Sequence, residues 1–134
     1  MPTGAAAKIS MIGIVSDDLP KTLAFYRFLG LDIPADADNA PHVEVQLAGG
    51  LRLAWDPVST VHSYDPNWTP PTGGSHRCAI AFEYPDAASV DAAYAEIVAA
   101  GFEGHLEPWN AVWGQRYASV KDPDGNSVDL FAAL

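Results

Sequence analysis

Cysteine, basic side chains and long apolar runs are all scarce in this chain of 134 residues. The single cysteine, Cys78, excludes an intramolecular disulfide and favours a reducing, cytoplasmic location. Seven Lys and Arg against seventeen Asp and Glu give a formal net charge of −10, which argues against a nucleic-acid partner. No apolar run approaches the roughly 20 residues of a membrane-spanning helix, and the first residues lack the pattern of a secretory signal. We therefore expect no membrane partner either.

What the chain does contain is a repeated pattern. Residues 11–18, MIGIVSDD, and residues 79–86, AIAFEYPD, both alternate as a strand does and end in Asp. Each leads into a segment whose apolar residues recur at helical spacing. Asp18 and Asp86 are expected to cap the two helices at their first turns, and the glycines at positions 30 and 101 are expected to end them.

Strand-like segments follow each predicted helix. Runs 42–47 and 51–56 flank AGG, and runs 115–122 and 127–132 flank PDGN, both typical of hairpins. A further short strand is predicted before each hairpin, at LDIP (31–34) and FEGHLEP (102–108). The sequence thus predicts one domain of α+β class, built from two βαβββ modules at about 8–58 and 76–134, with a connector rich in Pro and Gly at about 59–75.

Two such modules can place their sheets side by side as one curved mixed sheet, with the helices on the convex side. Alternation along the strands then predicts that Trp55 lies in the core and that Cys78 faces a helix as a small buried side chain. Several positions on the concave side carry small residues, which leaves room for a ligand. The concave side is predicted to hold Met11, Gly13, Val15, Ala79, Ala81, Glu83, Ser127, Asp129 and Phe131.

Two long strings carry a resemblance to a known family. SDDLPKTLAFYRFLGLDI (16–33) and WGQRYASVKDPDGNSVDLF (113–131) resemble the vicinal oxygen chelate superfamily of glyoxalase I, extradiol dioxygenases and bleomycin-resistance proteins. The resemblance spans nearly the whole chain and implies paired modules in a homodimer that shares strands or modules. Within the superfamily, segments 32–56 and 108–131 are most similar to mitomycin-type members, which sequester an antibiotic and break no bond.

The resemblance also bears on a metal site. Enzymes of the superfamily hold a divalent metal with four side chains from the inner strands, and the corresponding positions here are Met11, Ala54, Ala79 and Asp129. Three of these side chains offer no oxygen or nitrogen donor, whereas a catalytic zinc usually takes three protein ligands. We therefore expect no metal and no cofactor, and a binding protein rather than an enzyme. The alternative is a lyase, isomerase or oxygenase that acts on a small oxygenated substrate.

The segment PWNAVWGQRY (108–117) places Trp109 and Trp113 around a turn, because Pro108 and Gly114 argue against a helix. Trp109 suits either packing or ligand contact. The resemblance implies that Trp113 and His42 stack on opposite faces of a planar drug. A neutral His42 should stack on a quinone better than an imidazolium does, so binding is expected to weaken below about pH 6.

The sequence therefore predicts a metal-free protein that sequesters a planar polycyclic or quinone-type antibiotic, of the mitomycin, anthraquinone-enediyne, quinoxaline or bleomycin kind. Asp129 is expected to accept a hydrogen bond either from the ligand or from Arg116 or Arg52. The predicted ligand-binding residues are His42, Trp113, Trp109, Arg116, Asp129, Met11 and Phe131.

Overall fold

The computed structural model describes residues 4–134 and divides into two compact units, the first ending at Thr69 and the second running from Pro70 to Leu134. The chain has the predicted α+β character, with two mixed sheets. No helix within the described part is long and apolar enough to cross a membrane. The elements, in chain order, are β1 (Met11–Ser16), α1 (Leu19–Phe28), β2 (Val43–Gln46), β3 (Arg52–Pro57), α2 (Val58–Tyr64), β4 (Ala79–Glu83), α3 (Ala87–Ala99), β5 (Glu103–Asn110), β6 (Gln115–Lys121) and β7 (Ser127–Ala133).

The sheet of the first unit has the strand order β1-β3-β2, with β1 parallel and β2 antiparallel to β3. The predicted AGG hairpin is confirmed, since the amide of Leu47 donates to the carbonyl of Leu51 at 2.7 Å. Gly49 and Gly50 both have positive φ, at 76° and 81°, which side chains with a Cβ rarely adopt. Trp55 is fully buried and its ring centroid lies 5.1 Å from that of Tyr26, which confirms its core role.

Residues 31–34 form no strand, contrary to the prediction. The side chain of Arg27 at the end of α1 donates from Nε to the carbonyl of Ile33 at 3.3 Å and from Nη2 to that of Pro34 at 2.5 Å. Its Nη1 also pairs with Asp38 at 2.8 Å. The guanidinium thus binds the carbonyls that a neighbouring strand would use, and the first unit has a three-stranded sheet.

The predicted connector also differs from the structure at its start. Residues 59–64 belong to α2, a helix of the first unit that contacts β1 and β3 and buries Val61. A valine three residues after Val58 gives this short segment one apolar side at helical spacing, a signal that is weak because the surrounding residues are rich in Pro, Gly and Ser.

The predicted helix ends are confirmed. The Oδ1 of Asp18 accepts from the amide of Lys21 at 3.2 Å, and the Oδ1 of Asp86 accepts from the amide of Ser89 at 2.7 Å. At the other ends the backbone turns at glycine, with φ of 104° at Gly30 and 95° at Gly101. Each helix therefore begins and ends where local side chains and backbone satisfy its free polar groups.

The sheet of the second unit has the strand order β4-β7-β6-β5, with β4 parallel to β7 and the other pairs antiparallel. This unit has the complete βαβββ pattern. Its α3 packs on one face of the sheet, and Val128 and Leu130 of β7 are fully buried. Cys78 is exposed, so its predicted burial is wrong: it precedes Ala79, the first paired residue of the edge strand β4.

Candidate ligand-binding face

The sheet of the second unit has a helix side and an opposite side, and the register assigns side chains to each. Arg116 of β6 contacts Asp91 of α3, with Nε 2.8 Å from Oδ1. Because side chains alternate along a strand, every second residue of β6 counted from Arg116 lies on the helix side. Tyr117 and Ser119 therefore lie on the opposite side, where they pair with Phe131 and Asp129 of β7. We call this side of the sheet the aromatic face.

Four rings gather on the aromatic face, and we call them the aromatic cluster: Trp109, Trp113, Tyr117 and Phe131. Ring centroids lie 5.5 Å apart for Trp109 and Tyr117, 5.3 Å for Trp113 and Tyr117, and 6.1 Å for the two tryptophans, all edge-to-face. Tyr117 and Phe131 lie 6.3 Å apart at an interplanar angle of 24°. Edge-to-face contacts of this kind are favourable, so the rings support one another as a fixed surface.

Trp113 is the most accessible member of the cluster, because a turn rather than a helix carries it. The amide of Gly114 donates to the carbonyl of Ala111 at 3.0 Å, and Gly114 has φ of 90°. The side chain of Trp113 is 57% exposed. Its Nε1 donates to Oε1 of Gln115 at 2.9 Å, which orients the indole plane. The predicted turn is confirmed, and Trp109 at the end of β5 packs beside it.

Asp129 lies on the same face and is bound by two hydroxyl groups. Tyr117 donates to its Oδ2 at 2.6 Å, and Ser127 donates to its Oδ1 at 3.3 Å. Burial and the neighbouring Asp129 carboxylate raise the pKa of Tyr117 to about 12, so its hydroxyl stays protonated at neutral pH. Of the two alternatives expected for Asp129, the pairing with Arg116 or Arg52 is not seen among residues 4–134, and acceptance from a ligand stays a prediction.

The two arginines in question bind other carboxylates. Arg116 pairs with Asp91 on the helix side and donates to Asn110 at 3.1 Å, so it does not line the aromatic face as predicted. Arg52 pairs with Glu44 at 3.1 Å in the first unit. Alternation along β6 could have placed Arg116 and Tyr117 on opposite sides before the structure was known.

His42 belongs to the first unit, just before β2, and both of its ring nitrogens contact carboxylates. Its Nδ1 lies 2.5 Å from Oδ1 of Asp56, and its Nε2 lies 2.9 Å from Oε2 of Glu44. Hydrogen bonds to Glu44 and Asp56 raise the pKa of His42 above its ordinary 6.5. These contacts favour the charged form of His42 more than in a free imidazole, which works against the neutral stacking ring expected from the sequence.

Met11, the remaining predicted site residue, also lies in the first unit. It pairs with Arg52 in the parallel β1–β3 ladder and is 42% exposed. The structure thus places the predicted residues in three groups. Trp109, Trp113, Phe131 and Asp129 lie together on the aromatic face, His42 and Met11 belong to the first unit, and Arg116 lies on the helix side of the second.

Sequence reasoning missed Tyr117 and the two carboxylates that hold His42. Hairpin register was the available signal. A hairpin closed at PDGN sets Tyr117 opposite Phe131, and one closed at AGG sets Val43 opposite Trp55, which brings His42 to the level of Asp56. Trp109 is opposite Tyr117 because the β5–β6 ladder contains two register shifts, between Gly104 and Leu106 and between Leu106 and Trp109. No sequence pattern predicts such irregularities.

Comparison with known families agrees with this fold. A family model described as the Glyoxalase/Bleomycin resistance protein/Dioxygenase superfamily matches residues 8–130. The chain belongs to this superfamily. No curated protein matched the chain.

Several proteins of solved structure have a fold similar to that of this chain along nearly its whole length. A protein from Burkholderia phytofirmans PsJN, described as a glyoxalase/bleomycin resistance protein/dioxygenase family enzyme, has a TM-score of 0.79 and 18% identity, with 96% of this chain and 100% of that chain covered. A glyoxalase-related enzyme from Fulvimarina pelagi has a TM-score of 0.76 and 21% identity, with 95% and 88% covered. A lactoylglutathione lyase from Agrobacterium tumefaciens has a TM-score of 0.65 and 25% identity, with 96% and 95% covered.

The metal that superfamily enzymes carry does not fit the residues of this chain. Of the four positions that correspond by resemblance, Ala54 is a buried methyl group and Ala79 another methyl, while Met11 has only a thioether. The fourth, Asp129, is engaged by two hydroxyl groups. Among residues 4–134, no group of three or more His, Cys, Asp or Glu side chains could hold a metal ion.

Proposed function

We propose that this superfamily member binds a planar aromatic small molecule on the aromatic face and protects its host by sequestering such a molecule, an antibiotic of the polycyclic or quinone type. The observation that carries the proposal is the aromatic cluster, whose accessible ring, Trp113, is held by Gln115 and backed by Tyr117. No step in this function requires a metal, in keeping with the donor-poor positions of Met11, Ala54 and Ala79.

The physical argument rests on stacking. A flat ring placed on the exposed part of Trp113 exchanges water on one of its faces for dispersion contacts. Stacking on one aromatic side chain contributes about 1–3 kcal/mol for a nucleobase, which is a comparable ring system. Burial of further rings against Trp109 and Phe131 could bring binding to about −8 kcal/mol, which corresponds to a micromolar Kd.

The test is a titration of intrinsic tryptophan fluorescence with mitomycin C, echinomycin and bleomycin as probes. At least one probe should quench the tryptophan fluorescence of the wild-type chain at micromolar concentration. Trp113→Ala should weaken the binding of that probe by about 10- to 100-fold. Val112→Ala is the matched control, since Val112 is fully exposed in the same turn. Equal titration curves for wild type and Trp113→Ala, with both chains folded, would contradict the proposal.

His42 remains a second predicted contact, and a homodimer remains the predicted assembly. His42→Ala should weaken binding of the same probes independently of Trp113→Ala. For the predicted homodimer, light scattering of the purified chain should give twice the mass of 14.2 kDa. A loss of binding in the Trp113 variant alone would confine the site to the second unit.

The enzyme alternative draws on the similarity to proteins described as enzymes, among them a lactoylglutathione lyase. Elemental analysis of the purified chain separates the two functions. A stoichiometric metal that is lost in Asp129→Ala would favour the enzyme. Mass spectrometry of a recovered probe should show it unchanged if sequestration is the function.

A further inference from the structure

We infer that the ligand of the aromatic face carries a positive charge, a protonated amine or amidinium on its planar ring system, and that Asp129 is the residue that selects it. This inference rests on the proposed function, because it specifies the chemical class that the same site accepts.

Asp129 borders the aromatic cluster directly. It is two residues from Phe131 on β7, and the hydroxyl of Tyr117, a ring of the cluster, binds its Oδ2. A ligand stacked over the cluster therefore has the carboxylate at its edge. Towards β4 the residues of the same face are Ala79 and Ala81, which are exposed and end at a methyl group. Ala81, the β4 residue opposite Asp129, therefore presents only a methyl group beside the carboxylate.

The negative charge of Asp129 has only neutral partners in the described chain. Its two hydrogen bonds come from hydroxyl groups, and no ion pair reaches it among residues 4–134. A carboxylate offers about four acceptor positions, so at least two remain for a ligand. The Tyr117 hydroxyl stays protonated, with a pKa of about 12, and supplies no positive charge.

Glu83 adds a second negative charge to the aromatic face. Glu83 of β4 pairs with Phe131 and is exposed beside the cluster. Lys121 carries the opposite sign and lies farther along this face, on the row of Ser127, where its Nζ is 3.4 Å from Nδ1 of His76 and Glu103 is opposite it in the β5–β6 ladder. The rings themselves attract cations through their faces. A net charge of −10 adds a long-range field of the same sign.

The experiment compares two probes that share a tricyclic frame, 9-aminoacridine, which is a cation at neutral pH, and acridone, which is neutral. The wild-type chain should bind 9-aminoacridine roughly tenfold more tightly than acridone. Asp129→Asn should abolish this preference by weakening the binding of 9-aminoacridine to the level of acridone, since the amide removes the charge and keeps an oxygen for the Tyr117 hydroxyl. Glu96→Gln removes the same charge from α3, on the helix side, and should preserve the preference.

The outcomes separate the two proposals. Equal affinity of the wild-type chain for both probes, or an unchanged preference in Asp129→Asn, overturns the inference while ring binding stands. Failure of both probes to bind overturns the proposed function as well. If Asp129→Asn does not fold, the wild-type chain decides alone: rising salt should reduce the advantage of 9-aminoacridine and leave acridone unaffected, and an advantage that salt does not reduce overturns the inference.

Discussion

At the scale of single residues, His42 shows how a neighbour changes the chemistry that a sequence suggests. The residue was expected to be a neutral stacking ring. Its two nitrogens instead contact Asp56 and Glu44, and carboxylates only accept hydrogen bonds, so the doubly protonated ring satisfies both. Hydrogen bonds from ring nitrogens use the N–H bonds and not the ring faces, so stacking and the positive charge are compatible.

This arrangement predicts a pH-dependent stability. The pKa of His42 is raised above 6.5 in the folded chain, so its stabilising effect is complete below that value and is lost as pH rises through the folded pKa. The pKa of Glu44 is lowered below 4.5, chiefly by the hydrogen bond with His42, so this carboxylate is ionised throughout that range. The Tm of the wild-type chain should therefore fall as pH rises above 6.5.

Thermal unfolding measured from pH 5.5 to 9 tests this expectation. His42→Gln should lose the decline that begins above pH 6.5. His105→Gln, which removes an exposed histidine from the second unit, should retain it. The same decline in the His42 variant would assign the effect to another group. Because His42 is partly exposed, the change in unfolding free energy should be small, as it is for surface ion pairs.

At the scale of elements, the turn between β6 and β7 sets the register on which the aromatic face depends. The Asp122 carboxylate accepts from the amides of Asp124 and Asn126, at 2.9 Å and 2.8 Å, and from Nδ2 of Asn126 at 2.8 Å. Asp122 is only 3% exposed. A shift of one residue in this hairpin would turn Tyr117 away from Phe131, because side chains alternate between the two sides of a sheet.

Asp122→Ala should therefore destabilise the chain by about 2–3 kcal/mol, because partly buried amides would lose a charged acceptor. Denaturant unfolding measures the change. Asp122→Asn keeps one oxygen acceptor and should lose less. A loss below about 0.5 kcal/mol, the range of ordinary surface substitutions, would contradict this role of the turn.

The elements that the sequence predicted are those with local signals. Asp caps, terminal glycines and the PDGN hairpin involve residues within about five positions of one another, so their physics is visible in short strings. The strand predicted at residues 31–34 was wrong because a side chain from α1, Arg27, binds its carbonyls. The Tyr117–Asp129 contact also escaped prediction, because it depends on which strands are neighbours as well as on their alternation.

At the scale of the whole molecule, charge is the property that the sequence fixes without any structure. Seventeen acidic and seven basic residues leave a net charge of −10, and the ion pairs that the structure forms are partly exposed. Exposed pairs contribute little, whereas a large net charge of one sign destabilises a compact chain by self-repulsion. Salt weakens both the attraction within the ion pairs and the repulsion among the acidic groups. We expect the repulsion to be the larger effect here, because acidic groups outnumber their basic partners.

The Tm should therefore rise when ionic strength increases from about 10 to about 150 mM, as the Debye length falls from about 30 to about 8 Å. Calorimetry in NaCl and in KCl measures the change, and the two salts should act alike because screening depends on ionic strength and not on the identity of the cation. A rise with one salt alone would indicate a bound ion. A fall in Tm with both salts would mean that the ion pairs of Arg27, Arg52 and Arg116 outweigh the self-repulsion of the acidic surface.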